Sequence, residues 1–407
     1  MLETLKRPVT TPRPFVAERP YPLPRIFSID VFRAITMFLM IFINDLDPIK
    51  GVPEWLKHAG EYSDKLGFAD TIFPAFLFIV GLSVPFAIKN RLSKGDTPLE
   101  IAGHIGYRAL ALIIMGVLQV NLENYSAAAL IPRPFWEIGI TLGFFALWLD
   151  YPKQVKPSLR ILLQSGGLAL LVTLALLFKG GNAAHPVWLT TDWWGILGLI
   201  GWSYLICAAI FFLSKGRLWM QIAAVCLFLA FNIADRVGWL DNFDGFSAIV
   251  GNGAMPALTM GGVVVSMLYR RWSGSSAWIW RFLLIGAGLV CVGLLLRPIG
   301  GISKIDNTPS WVNICMGISI GAFTLLAALV DNRKKQDWFH VLRPAGTSTL
   351  TAYLLPYLLY SFFEWGHIHY PDILNTGAGG FCRSLAVALC IVFATGWLEK
   401  KHVKIRV

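Results

Sequence analysis

Three polar residues near the start of this sequence stand in otherwise apolar surroundings. Asn44 closes the apolar run SIDVFRAITMFLMIFIN, His58 lies in the connection after it, and Asp70 precedes the apolar run TIFPAFLFIVGLS. An imidazole can remove a proton, a carboxylate can fix the tautomer of that imidazole, and an amide can donate to a developing oxyanion. These groups suit acyl transfer, with His58 as base or nucleophile, Asp70 as its orienting partner and Asn44 as the oxyanion donor.

The histidine on its own also has an ordinary explanation. A single histidine in a connection between helices is usually a solvated side chain. Asn and Asp inside a membrane are costly, however, and they face a cavity or a polar partner. Their combination favours a site, and we expect Asn44, His58 and Asp70 to converge at one end of one helix pair.

Pro74 adds a local feature at the same place. A proline has no N–H to donate, so the carbonyl of the residue four positions earlier loses its helical donor. That carbonyl belongs to Asp70. We therefore expect the helix to be open beside the Asp70 carboxylate.

Composition indicates which elements must position these residues. The chain has 407 residues, of which 56% are apolar and only 14% charged, which excludes an ordinary soluble domain. About twelve apolar runs are each long enough to cross a hydrocarbon core of roughly 30 Å as a helix. They begin near positions 28, 66, 104, 133, 160, 193, 217, 249, 278, 310, 345 and 380. The predicted fold is all-α, a polytopic membrane protein with about twelve transmembrane helices in one bundle.

The distribution of positive charge predicts the orientation of this bundle. When the runs are assigned to alternate sides, most of the 35 Lys and Arg residues fall on the side of both termini. By the positive-inside rule both termini are cytoplasmic and His58 lies on the extracytoplasmic side. The net charge of +11 therefore indicates topology and contact with anionic lipids rather than nucleic acid. Residues 1–24 are predicted to be a Pro-rich basic cytoplasmic tail, and residues 25–407 the membrane domain.

Other residue types that could carry chemistry give weaker signals. All six cysteines lie within apolar runs, where they act as small hydrophobic residues. His367, His369 and Asp372 lack a further matched ligand, so no metal is predicted. Asp30 and Arg33 are three positions apart and can pair on one helix face as an anchor.

The sequence resembles the heparan-alpha-glucosaminide N-acetyltransferase family and its bacterial relatives. The resemblance is sharpest in SIDVFRAITMFLMIFIN (28–44), in Trp55, in HA at 58–59 and in ADTIFPAFLFIVGLS (69–83). It extends more weakly to most of the chain, through residues 193–205, 304–311 and 346–353.

The resemblance implies an acyl-CoA-dependent acyltransferase in the inner (cytoplasmic) membrane. An acyl group, acetyl above all, would pass from cytosolic acetyl-CoA or another acyl-CoA to an amino sugar or glycan on the far side, without a metal. His58 matches the catalytic loop histidine of the family, Asn44 the asparagine that closes the preceding helix, and Asp70 the aspartate before FP. Whether an acyl-histidine forms or His58 acts only as a base stays open. Inner basic residues would bind the nucleotide, and a homodimer is possible.

The sequence departs from the family pattern in three ways. The spacing from His58 to Asp70 is longer by two residues, Ala34 replaces a glycine after the arginine, and two extra helices lie at 133–178. The extra helices bear on the identity of the acceptor. A transporter or flippase for a sugar or lipid-linked substrate is the alternative function, although no internal repeat supports it. A third possible function is a membrane scaffold protein that has lost its catalytic activity.

Overall fold

The computed structural model describes residues 26–61, 63–182, 185–240, 251–333 and 337–407. The predicted cytoplasmic tail at residues 1–24 lies outside the described residues. Apart from one pair of two-residue strands, every regular element in the described part of the chain is a helix or a helical turn.

The described residues form thirteen α-helices in chain order. They are α1 (Phe27–Leu46), α2 (Ala69–Lys94), α3 (Pro98–Val120), α4 (Arg133–Trp148), α5 (Pro157–Leu176), α6 (Gly195–Leu213), α7 (Leu218–Arg236), α8 (Ala254–Trp272), α9 (Trp278–Leu295), α10 (Pro309–Leu326), α11 (Arg343–Thr347), α12 (Thr349–Trp365) and α13 (Gly377–Lys400). Short 3₁₀ turns lie at Glu54–Leu56, Asp337–Leu342 and Asp372–Leu374, and a π-helical turn at Ala327–Asn332. Strands β1 (Gly180–Gly181) and β2 (Pro186–Val187) pair antiparallel.

The helices confirm an all-α, polytopic membrane protein. Each begins close to one of the predicted starts, and the helix predicted near 345 is divided into the five-residue α11 and α12. Among the described residues, nine helices are long and apolar enough to cross a membrane. The others of comparable size, α4, α8 and α12, have 16, 19 and 17 residues. The number of crossings and the sidedness of the termini stay predictions.

Helices α1, α2 and α10 form the centre of the bundle. In the most apolar segments of α2 and α10, 67% of the residues are buried, against 22% in α7 and α9. Apolar side chains of α7 and α9 that face outward are suited to lipid. The residues next to the sequence-predicted site therefore come from the most enclosed helices, which hold them rigidly.

Glycines bring the backbones of α2 and α8 into direct contact. A Cβ on Gly81 would lie 1.8 Å from the carbonyl oxygen of Thr259, and a Cβ on Gly262 would lie 2.0 Å from that of Phe78. Such close approach is how helices gain packing energy in lipid, where burial of apolar surface no longer drives association. This contact fixes the position of α2, whose first turn carries Asp70.

The bundle has two ends, each named by one of its residues. The His58 end is where α1 ends and α2 begins. At the Arg33 end, α2 stops at Gly95, which has φ of 88°. Thr97 and Glu100 then start α3 with a capping box, in which each side chain accepts a hydrogen bond from the other residue's backbone N–H.

Candidate active site

His58 and Asp70 form a close pair at the His58 end. The Nδ1 atom of His58 lies 2.7 Å from Oδ1 of Asp70. Asp70 stands in the first turn of α2, where the positive end of the helix dipole favours a carboxylate. Its side chain is 2% exposed, whereas that of His58 is 31% exposed. A buried carboxylate thus holds an imidazole that solvent can still reach.

The loop around His58 is fixed through its backbone. Oδ2 of Asp70 accepts hydrogen bonds from the Ala59 N–H at 3.0 Å and the Gly67 N–H at 3.1 Å. The His58 N–H donates to Oδ1 of Asp47 at 3.2 Å. Only glycine fits at position 67, because a Cβ there would lie 1.9 Å from the Lys57 carbonyl oxygen. The imidazole is therefore positioned by its own backbone as well as by Asp70.

Helix α2 runs unbroken from Ala69 to Lys94, and Pro74 leaves the Asp70 carbonyl without its helical donor. Trp311 of α10 donates from its indole Nε1 to the Asp70 carbonyl oxygen at 3.2 Å. Trp311 is fully buried. A side chain from a distant helix therefore replaces the donor that proline removes, and it ties the start of α2 to α10.

Lys304 is a member of the site that the sequence did not identify. Its Nζ lies 3.2 Å from Nδ1 of His58. Burial lowers the pKa of Lys304, and the carboxylates of Asp70 and Asp47 offset part of that effect. The weak motif at 304–311 marked this loop, but nothing in the spacing indicated that a residue so distant along the chain contacts His58.

Asp64 holds the Lys304 loop against the His58 loop. Its Oδ1 accepts from the Ile302 N–H and its Oδ2 from Nε of Arg297, both at 2.7 Å. These two bonds hold the pKa of Asp64 below its usual value. The carboxylate is thus ionised at neutral pH, and the two loops stay joined.

The hydrogen bonds assign the tautomer of His58. Because the Asp70 carboxylate can only accept, the proton on a neutral imidazole belongs on Nδ1. Lys304 then contributes a nearby positive charge and does not donate to that nitrogen. In the part of the chain that the structure describes, no side chain bonds to Nε2. That nitrogen has a free lone pair, and this is the arrangement a general base requires.

Asn44 lies apart from this pair. Its side chain is exposed and, within the described residues, makes no hydrogen bond. It lines a cavity of about 560 Å³, here named the Asn44 cavity. The other lining residues are Asp45, Pro48, Tyr360, Phe363, Glu364, Ile368, His369, Tyr370, Asn375 and Arg383. The structure thus brings together His58 and Asp70, and places Asn44 in this cavity between α1, α12 and α13.

The helical position explains this difference. Asp47, one turn after Asn44 and just beyond the end of α1, holds the His58 backbone. The Asn44 side chain does not reach the Asp70 carboxylate in the contacts of the described residues. The catalytic roles of all three residues stay predictions.

A second cavity, the Arg33 cavity, lies toward the opposite end and has a volume of about 280 Å³. Arg33, Arg108 and Arg406 contribute three guanidinium groups to its lining. Arg33 makes the predicted pair with Asp30 at 3.2 Å and also donates to Ser83 Oγ at 2.6 Å. The cavity thus combines positive charge with apolar walls from α1, α2, α3, α6 and α12.

One face of α1 joins the two cavities. Arg33, Met37, Met40 and Asn44 are spaced by four, three and four residues, which places them on one helix face. The first three line the Arg33 cavity and the fourth lines the Asn44 cavity. From Arg33 to Asn44 the helix rises by roughly 16 Å. The two cavities therefore lie along the same face of α1.

Comparison with known proteins gives a consistent relationship. No protein-family model matches the chain. It is 34% identical over 125 residues to the human (Homo sapiens) heparan-alpha-glucosaminide N-acetyltransferase, covering 29% of this chain and 18% of that protein. It is 33% identical over 141 residues to the mouse (Mus musculus) protein of the same name, covering 31% of this chain and 20% of that protein.

The sequence motifs predicted a similarity over most of the chain. The matched segments are shorter, at 29% and 31% of it. The chain spans about a fifth of the length of the curated relatives that it matches. Both are named as transferases of the same kind, which accords with the His58 and Asp70 geometry. The resemblance to the heparan-alpha-glucosaminide N-acetyltransferases is confirmed, and this protein is related to them.

Proposed function

We propose that this protein is an integral membrane acyltransferase, which moves an acyl group, acetyl above all, from acyl-CoA to an amino sugar or glycan. The observation that carries the proposal is the contact of 2.7 Å between His58 Nδ1 and the buried Asp70 carboxylate, with the opposite imidazole nitrogen open to a substrate. The names of the relatives support the reaction class and the amino sugar.

The Arg33 cavity is suited to the acyl-CoA donor. Guanidinium groups bind phosphate oxygens through paired N–H donors. Arg108 stacks on the Tyr204 ring with 4.8 Å between its Cζ and the ring centroid, and its buried Nε has no partner among the described residues. The apolar face of α1 beyond Arg33 then offers a path for the thioester arm toward Asn44.

The reaction needs one proton acceptor and one site for negative charge. In direct transfer, the nitrogen of the acceptor amine attacks the thioester carbonyl while His58 Nε2 takes a proton from that amine. The new N–C bond forms, the C–S bond breaks, and the leaving thiolate takes the proton from the imidazolium. Asp70 stabilises that imidazolium, and the Asn44 amide donates to the carbonyl oxygen as it becomes negative.

A covalent route uses the same residues. In it Nε2 attacks the thioester carbonyl and the C–S bond breaks, so coenzyme A leaves as a thiolate and an acyl-imidazolium remains beside Asp70. The acceptor amine then attacks the acyl carbon, the bond from Nε2 to that carbon breaks, and the proton lost by the amine goes to the thiolate. Both routes need the Nδ1 proton to remain on the side of Asp70. The two routes are distinguished by whether acylated protein accumulates when the acceptor is withheld.

The positive-inside pattern supports a donor on the cytosolic side and an acceptor on the extracytoplasmic side of an inner membrane. The alternative, a transporter or flippase, would use the two cavities as its substrate path. The transferase names of the relatives favour the enzyme.

The test is an acyl-transfer assay on purified protein in lipid nanodiscs. We expect release of the coenzyme A thiol from acetyl-CoA to depend on added glucosamine, with N-acetylglucosamine formed in equal amount. Empty nanodiscs are the control. Sugar movement across vesicles without any acyl donor, together with no acetylated sugar, would contradict the proposal and favour the transporter.

A further inference from the structure

The Asn44 cavity has the lining of a saccharide site. Three aromatic rings, two side-chain amides and two carboxylates face it. Aromatic rings pack on the apolar C–H faces of a sugar, while amides and carboxylates bond its hydroxyl groups. Its volume of about 560 Å³ lies within the usual range for small-molecule pockets.

The floor of this cavity is a preformed polar cluster. Asp45 is buried, and its carboxylate accepts from Ser384 Oγ at 2.6 Å, from Arg383 Nη2 at 3.2 Å and from the Tyr360 hydroxyl. The Arg383 side chain is 10% exposed and lies over the Tyr370 ring, with 4.5 Å between its Cζ and the ring centroid. These contacts hold Arg383 and Tyr370 in place before any ligand arrives.

One donor in this cluster is left unused. Arg383 Nε is buried and has no hydrogen-bond partner among the described residues. A buried N–H without a partner is costly, and a ligand oxygen can relieve that cost. The Asn44 amide, also without a bond within the described part of the chain, adds further donors and an acceptor at the same cavity.

The charges around the cavity argue against an anionic ligand. Arg383 is paired with Asp45, and Glu364 is paired with Arg133 of α4 at 2.8 Å. The lining therefore holds no unpaired guanidinium to receive a phosphate or sulfate. A neutral or cationic sugar ring suits it better.

From these contacts we infer that the Asn44 cavity binds the acceptor through an unphosphorylated hexosamine ring, which packs on Tyr370 and bonds to Asn375. The Asn375 amide is held in place for this, because its Oδ1 accepts from Arg383 Nη1 and its Nδ2 donates to the Tyr370 carbonyl at 3.0 Å. This inference rests on the proposed function and assigns the residues that recognise its acceptor. His58 does not line the cavity, but its N–H donates to Oδ1 of Asp47 at 3.2 Å, and Asp47 is one helical turn from Asn44 in the lining.

The extra helix pair supports the rim of the cavity. Besides the Arg133–Glu364 ion pair, Phe135 of α4 packs edge-on against Trp365 at the end of α12, with ring centroids 5.7 Å apart. The extra helix pair thus contacts Glu364, which lines this cavity, and its chain neighbour Trp365.

The test measures sugar binding without an acyl donor. Protein in nanodiscs is titrated with methyl glucosaminide and, separately, with glucosamine 6-phosphate, by calorimetry. We expect Tyr370→Leu and Asn375→Ala each to weaken methyl glucosaminide binding by about tenfold, the size of one lost stacking or hydrogen-bond contact. Tyr370→Phe keeps the ring and should bind nearly as the unchanged protein does.

Matched controls separate this effect from misfolding. Tyr107→Leu and Asn90→Ala alter exposed residues at the other end of the bundle and should leave sugar affinity unchanged. Coenzyme A should bind equally to all variants. Unchanged sugar affinity in both Tyr370→Leu and Asn375→Ala, or equal affinity for the 6-phosphate, would overturn the inference. Variant-sensitive sugar binding without any thiol release from acetyl-CoA would support the site and contradict only the proposed transfer.

Discussion

At the scale of single residues, Asp70 serves two purposes at once. Its carboxylate binds the imidazole of His58 and two backbone N–H groups of the same loop, while its carbonyl accepts from Trp311. A carboxylate with this many donors stays ionised and holds the loop in one conformation. The residue that orients the candidate base therefore also organises the loop that carries it.

Lys304 allows the electrostatics of this site to be tested by pH. Because burial lowers its pKa, the side chain loses its proton, as pH rises, below the usual range for lysine. The positive charge beside two carboxylates is then lost, and we expect acyl transfer to fall on the alkaline side. Lys304→Arg should remove that alkaline fall, since arginine stays charged. The measurement is the initial rate against pH.

A matched substitution in the same region completes this test. Lys65→Arg alters an exposed lysine and should keep the alkaline fall of the unchanged protein. Lys304→Met should lower kcat roughly tenfold to hundredfold, the effect of removing one charged partner. The same alkaline fall in Lys304→Arg would show that Lys304 does not control the reaction.

At the scale of elements, the sequence predicted more of the helices than of the site. A long apolar run has few alternatives to a helix in lipid, so α1 to α10 and α13 were found close to their observed starts. The single run predicted from position 345 did not include the break at Ser348 between α11 and α12, which falls in the small polar stretch GTST at 346–349. The contact of His58 with Asp70 could be predicted because the two residues are near in sequence. The contact of Lys304 with His58 could not, because it depends on how α9 and α10 pack in the fold.

Contact between α2 and α8 should be sensitive to a single methyl group. Gly81→Ala places a Cβ 1.8 Å from the Thr259 carbonyl oxygen, so the helices must separate at a cost of about 1–3 kcal/mol. We expect a lower thermal unfolding temperature in detergent, together with reduced activity as the start of α2 shifts.

Gly103→Ala is the control for this prediction. It also lies in a helix, but a Cβ there has no atom within 4 Å. We expect it to leave the unfolding temperature unchanged or to raise it slightly. Equal unfolding temperatures for the Gly81 and Gly103 variants would mean that the close approach of α2 and α8 does not limit stability.

At the scale of the whole molecule, the protein has a cationic cavity toward one end and a polar, aromatic cavity at the other. Their linings combine residues from helices that are far apart in sequence, including α1, α2, α12 and α13. No single sequence motif contains the lining residues of either cavity, and for this reason the cavities could not be predicted from the sequence. One face of α1 contributes residues to both, and Asp47, which holds the His58 backbone, is one helical turn from Asn44 in the second. We propose that the donor enters the first cavity and the acceptor the second.

The most direct test of the central claim compares Asp70→Asn with His58→Ala in the acetyl-CoA and glucosamine assay. Asparagine keeps the size of the side chain but can no longer act as the anionic partner of the imidazole. We therefore expect kcat to fall by roughly 10²-fold to 10⁴-fold in both variants, with coenzyme A affinity unchanged and His104→Ala fully active. Full activity of either Asp70→Asn or His58→Ala would contradict the account.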